Sequence, residues 1–458
     1  MNKPVFPLSA LALMLALPLS ASADSFLVSG SNLDVAVAAA GGSITRRLDA
    51  IGAVVVEAPP SFKAAIKGRK GVSGVLPNLS IRWLPRDLVQ NEAVAEALDP
   101  PLNPPGSIDS RFNLQWGHTA VGAVAAWNAG HTGSGARVAV LDTGFSPNHP
   151  DIATQFDPSC SADMTGEGLA YGPNVDDPSG IFSHGMHVAG TIAAARNGIG
   201  VIGVAPSAKL CLVKVLSNAG SGSFGDVAAG IIYAADKGVD IINMSLGGAL
   251  FKSGEAGFYT ASEAAEFKNF MASAVRYAHQ RGVTVITAAG NSGIDGDKDR
   301  NLIHLPSDTP HAISISATAP KAWAVNPAAT LDHPASYTNF GRSVINLAAP
   351  GGDAWLEVFN QYPGNCTVAG VTRSCYVFDL VFSTGAVVGT RAFYYWSAGT
   401  SMAAPHASGV AALIVGKYGK LHPAQLRSLL ERGADDLGQP GNDPYFGAGR
   451  VNAVQSVQ

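Results

Sequence analysis

Four short strings set a polar, chemically able residue among glycines and alanines, in the order Asp, His, Asn, Ser: Val140-Leu141-Asp142-Thr143-Gly144, His184-Gly185-Met186-His187-Val188-Ala189-Gly190, Ala288-Ala289-Gly290-Asn291-Ser292-Gly293 and Gly399-Thr400-Ser401-Met402-Ala403-Ala404-Pro405-His406. Packing alone gives no reason for those residues, and their small neighbours let another backbone approach closely. A serine hydroxyl is a weak nucleophile near neutral pH until a base takes its proton, and His184 is the candidate base for Ser401. Asp142 would hold the imidazole in the right tautomer and stabilise the imidazolium without taking the proton itself. The Asn291 amide would donate to the oxyanion of a tetrahedral intermediate. Other chemistries explain less. Asp142-Thr143-Gly144 also suits a two-carboxylate protease, but no second such triplet occurs. His184 and His187 are spaced as a metal pair, yet no third ligand stands out. Taken singly, Asn291 suits a Gly-flanked turn and Ser401 a helix cap; all four in one order argue against coincidence.

Such residues need elements to bring them together. From Gly130 onward, apolar β-rich runs alternate with helical stretches: Arg137–Leu141, Leu210–Leu216, Asp240–Leu246, Val283–Ala288, Ala312–Ala317 and Val344–Ala348. Short continuous apolar runs with helices between them predict a parallel sheet covered on both faces, a doubly wound α/β domain. Ligands bind beyond the carboxyl ends of the strands in such sheets. Asp142 ends the first run, Ser245 comes near the end of the third and Asn291 follows the fourth, so three of the residues arrive at one edge. Ser401 heads a small-residue helix running to about Gly416. Its N–H is left unpaired by the helix, and the positive end of the helix dipole lies behind it.

In this order, with these flanking residues, the strings resemble those of the subtilisin-like serine proteases, the subtilases, over about residues 112–453. The resemblance implies a subtilisin-like fold and peptide-bond hydrolysis through an acyl-enzyme. It implies a triad of Asp142, His184 and Ser401, with Asn291 as oxyanion donor. Ser245-Leu246-Gly247 matches one wall of the primary specificity pocket, and Gly220-Ser221-Gly222 matches the strand that pairs with substrate opposite. Both would hold an extended peptide as an added strand through backbone groups. No carboxylate stands in these segments to demand a basic side chain, so the expectation is broad specificity with an apolar or aromatic preference. Asp151 and the loop Ala195–Val201 resemble the family's calcium site; Asp151, the Asn197 side chain and the carbonyls of Ala195, Ile199 and Val201 would be the ligands of Ca2+. Phe112 stands near where the family supplies a further side-chain ligand. No organic cofactor is implied.

The chain also departs from the family pattern. Met186 replaces a common threonine, and residues 157–180, 250–262 and 353–395 are longer than in compact members. The last segment carries Phe393-Tyr394-Tyr395-Trp396 just before the nucleophile, and reads equally as a substrate-guiding loop or a stapled surface hairpin. Two rival functions stay open: a narrow processing protease for one partner protein, and a catalytically silent binding protein with the protease fold. The second should have lost a triad member, and none is lost. Serine carboxyl peptidases, which use Glu as base, are disfavoured by His184.

At 458 residues the chain exceeds what one core usually fills. Lys3, the apolar stretch Leu8 to Leu19 and Ala21-Ser22-Ala23 read as a signal peptide over residues 1–23. The apolar stretch falls short of the ~20 residues of a membrane span. The expectation is therefore an exported enzyme, secreted or periplasmic, with no stable membrane anchor. Residues 24–105 read as strand Ser25–Ser29, helix Leu33–Ala40, strand Ala53–Glu57, helix Ser61–Lys67 and strand Leu79–Trp83. This small α+β, ferredoxin-like pattern resembles the subtilase propeptide, a folding aid and intramolecular inhibitor. The Pro-rich stretch Asp99–Gly106 reads as an exposed connector, so maturation is expected between about residues 90 and 110, leaving 106–458 as the peptidase domain.

An apolar fraction of 47% with 14% charged residues suits a well-buried globular enzyme. The net charge of −4 comes without a basic cluster, so nothing argues for nucleic acid, and the partners expected are protein or peptide substrates. Cys160, Cys211, Cys366 and Cys375 are even in number in a disulfide-permissive compartment. Of three formal pairings, Cys366 with Cys375 closes a tight loop and leaves Cys160 with Cys211; free buried thiols are the alternative.

Overall fold

The computed structural model describes residues 25–84, 109, 111–172, 180–355, 361 and 364–458, together with the backbone of 89–96. The signal peptide read over 1–23 and the connector read over 99–106 lie outside the described residues. Among those described, no helix is long and apolar enough to cross a membrane.

The N-terminal domain is an antiparallel sheet with two helices: β1 (Ser25–Gly30), α1 (Leu33–Ala39), β2 (Ser43–Leu48), β3 (Ala53–Glu57), α2 (Phe62–Ile66) and β4 (Val72–Pro77), with strand order β2-β3-β1-β4. Side chains alternate across such strands. Phe26, Val28, Val54 and Val56 meet the helices through Val37, Phe62 and Ile66. Leu27, Val55 and Leu76 point the other way, into a core shared with the larger domain. Two strands differ from the sequence reading. β2 carries Thr45-Arg46-Arg47 and gives no apolar run, and the fourth strand is Val72–Pro77, diluted by Gly74 and Pro77. The Leu79–Trp83 stretch leaves the small sheet instead: β5 (Ser80–Arg82) pairs antiparallel with β10 (Ser221–Ser223) of the larger domain.

Two short helices, α3 (Trp116–Ala120) and α4 (Ala123–Asn128), lead into that domain. Its sheet is built from β7 (Arg137–Asp142), β8 (Ala162–Asp163), β9 (Lys209–Lys214), β11 (Ile241–Met244), β15 (Thr284–Ala288), β17 (Ala312–Ala319), β18 (His333–Pro334) and β19 (Leu347–Pro350). The order is β18-β17-β15-β11-β7-β9-β8 with β19 also beside β17, and every pair is parallel except β17–β18. α5 (His184–Ala193) and α8 (Thr400–Tyr418) cover one face, where Val138 and Val140 point. α6 (Phe224–Asp236) and α7 (Ala261–Gln280) cover the other, where Ala139 and Leu141 point. This is the doubly wound arrangement read from the apolar runs. The last run shifts: Val344 and Ile345 turn on the carbonyl of Gly341, and the strand begins at Leu347.

Three further pairs lie outside the main sheet. β12 (Gly248–Phe251) joins β16 (Leu302–Leu305), β13 (Gly254–Glu255) joins β14 (Tyr259–Thr260), and β20 (Asn365–Val368) joins β21 (Val371–Ser374). β22 (Val381–Val388) and β23 (Arg391–Ala398) form a hairpin just before α8, and β6 (Val89–Glu96) adds to its edge as a third strand. The disulfides are Cys160–Cys211 and Cys366–Cys375, with no free cysteine.

Candidate active site

Asp142 is the last residue of β7 and is fully buried. Its Oδ1 accepts the Thr143 N–H at 2.7 Å and lies 2.8 Å from His184 Nδ1. His184 is the first residue of α5, set by the Ser183 cap, whose hydroxyl accepts from the Met186 N–H at 3.2 Å and donates to the Gly144 carbonyl at 2.7 Å. With Nδ1 held by the carboxylate, Nε2 has no partner among the described residues and is available as a proton acceptor.

Ser401 stands in the first turn of α8, where no helix carbonyl can take its N–H. Its hydroxyl donates to the Ser245 carbonyl at 2.9 Å, and the Ser245 hydroxyl returns a bond to the Ser401 carbonyl at 2.7 Å. The strand-end serine thus fixes the nucleophile's turn, and Asn243 steadies it at 3.0 Å while accepting from Ser408 at 2.8 Å. For attack the Ser401 hydroxyl must turn from Ser245 to His184 Nε2; catalytic hydrogen bonds are often unmade before substrate binds. α8 is buried from Thr400 to Val415 and reaches its place because its residues are small: a Cβ on Gly409 would lie 2.5 Å from Val204.

Asn291 follows β15 after Gly290, whose φ of 105° and close Asn339 neighbour exclude a side chain. Asn291 Oδ1 accepts from both the N–H and the hydroxyl of Thr400, at 2.9 and 2.7 Å, and the Thr400 hydroxyl accepts the Gly290 N–H at 3.1 Å. This turns the Asn291 amide nitrogen away from the anchor and leaves it free to donate. Sequence reading missed both Thr400 and the Ser245 hydroxyl in these positioning roles. Their neighbours in the strings carried the visible signal, while a small hydroxyl beside them carries none. His187 is no metal ligand here: its Nε2 lies 3.1 Å from the carbonyls of Val381 and Tyr395, and burial pushes its pKa down to about 3.

Both expected substrate-binding segments carry an extended chain, and it is the protein's own. β5 runs antiparallel to β10. The N–H groups of Trp83 and Leu84 donate to the Gly220 carbonyl at 2.9 and 3.2 Å, and the Gly247 N–H donates to the Trp83 carbonyl at 3.0 Å. The Trp83 indole is fully buried against Phe224, 5.1 Å between rings, and its N–H reaches the Gly222 carbonyl at 2.9 Å.

The 195–201 loop, where calcium is expected, offers donors of fitting chemistry. Asp151 is fully buried, and Asp109, 2% exposed, converges on the same loop by accepting the N–H groups of Gly198 and Asn197 at 2.7 and 3.3 Å. Burial pushes Asp151 up to about 7 and Asp109 up to about 6, outweighing the hydrogen bonds that both accept and the Arg196 charge near Asp109. The carbonyls of Ala195, Ile199 and Val201 accept no hydrogen bond among the described residues. Two hard carboxylates and three spare carbonyls suit a calcium ion. The Asn197 side chain is turned otherwise, its amide donating to Asp151 at 3.1 Å and its oxygen accepting the Ile199 N–H at 3.1 Å. Asp109, rather than a residue at Phe112, is the N-terminal carboxylate of this loop. No local pattern marked it.

Residues 133–449 match the model of the subtilase family. Subtilisin Savinase from Lederbergia lenta is 36% identical over 346 residues, covering 76% of this chain and 99% of the relative. Thermitase from Thermoactinomyces vulgaris is 32% identical over 345 residues, covering 75% and 96%. Among solved structures, an epidermin leader peptide processing serine protease from Staphylococcus aureus aligns with a TM-score of 0.71 over 94% of this chain and 97% of that one; at 20% identity this speaks to fold alone. The buried carboxylate–imidazole pair, the serine at a helix head and the matched sequence over most of the chain lead to one assignment: the chain belongs to the subtilase family and is a serine endopeptidase.

Proposed function

We propose that this is an exported endopeptidase of broad specificity, synthesised with an N-terminal inhibitory domain that it removes itself. The observation that carries the reading is the Asp142–His184 pair at 2.8 Å, with the imidazole's other nitrogen free beside a cleft that already holds an extended chain. In the reaction, Ser401 Oγ attacks the scissile carbonyl as His184 Nε2 takes its proton. Asp142 keeps the proton on Nδ1 and stabilises the imidazolium. The oxyanion is received by the Ser401 N–H and the Asn291 amide, which Thr400 has pre-aimed. His184 then protonates the leaving amine, and water repeats the sequence on the acyl-enzyme.

Substrate pairs with Gly220-Ser221-Gly222 on one side and Ser245-Leu246-Gly247 on the other, where Leu246 is buried and no carboxylate intervenes. This supports an apolar or aromatic preference in the primary pocket. Residues 80–84, the end of the N-terminal domain, fill the same strand positions, which supports that domain's role as inhibitor. Asp109, Asp151 and the free carbonyls of Ala195, Ile199 and Val201 would hold calcium, whose positive charge would pin the 195–201 loop. A chelator should then lower the melting temperature of the purified enzyme, and an unchanged temperature would remove calcium from the reading.

Intact mass after treatment with a serine-directed phosphonylating reagent tests the whole scheme. Wild type should begin downstream of Leu84 and carry one adduct, whereas Ser401→Ala should be uncleaved and unlabelled. Full-length, unlabelled wild type would sink the self-processing reading. Cleavage of a mixed peptide library at one sequence only would replace broad specificity with a dedicated processing role.

A further inference from the structure

We propose that the outer edge of β23 is a second peptide-binding strand, which takes the residues of a substrate that follow the scissile bond over about seven positions. The inference rests on the endopeptidase reading of the cleft and extends it to substrate length. On the side preceding the bond, the chain lies antiparallel on β10 and ends its described course at Leu84, bonded to Gly220. Only residues 85–88 separate it in sequence from β6, which lies antiparallel on β23 with Val89 opposite Ala398 and Glu96 opposite Ala392. Ala398 stands three residues before Ser401, so β6 starts beside the nucleophile and runs outward. One polypeptide, in one direction, is therefore strand-paired before the catalytic serine and again after it.

β23 can offer this edge because β22 occupies only its other side. Without β6, a row of backbone N–H and C=O groups stands open, which is a template for an added strand. The two faces of β23 are also unlike. Tyr394 and Trp396 point into the main core, whereas Phe393 and Tyr395, on the opposite face, are buried outside it. Tyr395 pairs with Phe182, 4.5 Å between rings, in a small cluster separate from that core, and Phe182 lies 6.3 Å from the His184 ring. An apolar floor beside the catalytic histidine thus continues along the strand that β6 covers. Backbone pairing of this kind accepts any extended sequence and rejects proline, which lacks the N–H. β6 is the occupant in the uncleaved chain, and substrate takes its place after maturation.

The test is kcat/KM of the matured enzyme on peptides sharing the same residues before the bond and carrying one, three, five or seven residues after it. Each added pair of backbone bonds should raise the rate a few-fold, giving roughly a tenfold or larger gain between three and seven residues. N-methylation or proline at the fifth residue after the bond should erase that gain and leave the three-residue rate unchanged. Hydrogen exchange of the β23 amides that face away from β22 should be fast in the matured enzyme, and a product peptide from that side should slow it. A rate flat beyond three residues overturns the proposal whatever the exchange shows: protected amides would make β6 a permanent third strand, and exposed amides an unused edge. Short peptides that are cleaved without any length dependence would leave the endopeptidase reading intact.

Discussion

The larger domain closes its core upon itself, whereas the N-terminal domain borrows half of its own. Both faces of the eight-stranded sheet are covered by helices of the same domain, and α8 is buried along sixteen residues from Thr400 to Val415. The four-stranded sheet has helices on one face alone; Leu27, Val55 and Leu76 on the other rest against α6 and α7. Leu79, Trp83 and Leu84 extend that shared apolar core, and polar contacts add specificity. Asn78 accepts the Gly225 N–H at 3.0 Å and the Leu79 carbonyl accepts the Phe224 N–H at 3.1 Å, so the guest caps the open first turn of α6. Arg46 pairs with Asp226 and Lys63 with Glu263. On the proposed maturation, the larger domain would keep its own core while the smaller one would lose the face it borrows.

The largest consequence concerns the guest by itself. A chain of about 60 residues is marginal even with a complete core. Residues 25–84 should show no cooperative thermal transition alone and should gain one on binding the matured enzyme; a sharp transition in isolation would erase the contrast between the two cores. Next comes Trp83→Ala. Losing a fully buried tryptophan costs about 3–5 kcal/mol, so inhibition by the added domain should weaken by roughly 10²–10⁴-fold, with kcat unchanged. The converse is Asn291→Leu. A corresponding donor in subtilisin is worth about 10²–10³ in kcat, and here kcat should fall on that scale while KM and affinity for the N-terminal domain hold. Equal changes in kcat and KM would reduce Asn291 to a binding residue.

How much of this was readable in sequence follows the same division. Asp142, His184, Asn291 and Ser401 were legible because each stands in a local string of small residues, and the parallel sheet was legible because both-face burial writes continuous apolar runs. The disulfide pairing followed from closeness in sequence. What stayed hidden is non-local. Asn78 caps a helix 147 residues away, and nothing about an asparagine before a leucine announces it. Thr400 and Ser245 act through hydroxyls whose direction depends on two loops meeting. β4 was missed because glycine and proline blur the strand signal, and β5, read correctly as a strand, was placed in the wrong sheet because backbone pairing with a distant strand leaves no periodicity of its own. Asp109 reads as an ordinary polar residue until the 195–201 loop folds over it.

The smallest effect would sharpen the comparison most, because it isolates one contact between the two domains. Burial pushes the Glu263 carboxyl up, but Lys63 and the N–H and hydroxyl of Thr260 outweigh it and hold the pKa below its ordinary 4.5. Thr260 remains with the enzyme when the guest leaves, so only the Lys63 share is linked to docking. A group whose pKa is lower in the docked state binds fewer protons there. Its contribution is therefore complete above the ordinary value and is lost as pH falls through the docked one. Lys63 is nearly half exposed, at 45%, so solvent screens the pair and the contribution should stay below about 1 kcal/mol. The inhibition constant of the added domain should thus rise by less than about fivefold from this pair between pH 7 and pH 3.5. Glu263→Gln should start weaker at pH 7 and lose that part of the slope. An unchanged slope would assign the acid sensitivity to unfolding of the guest's half-core, and the ion pair would then contribute to placement without contributing to pH response.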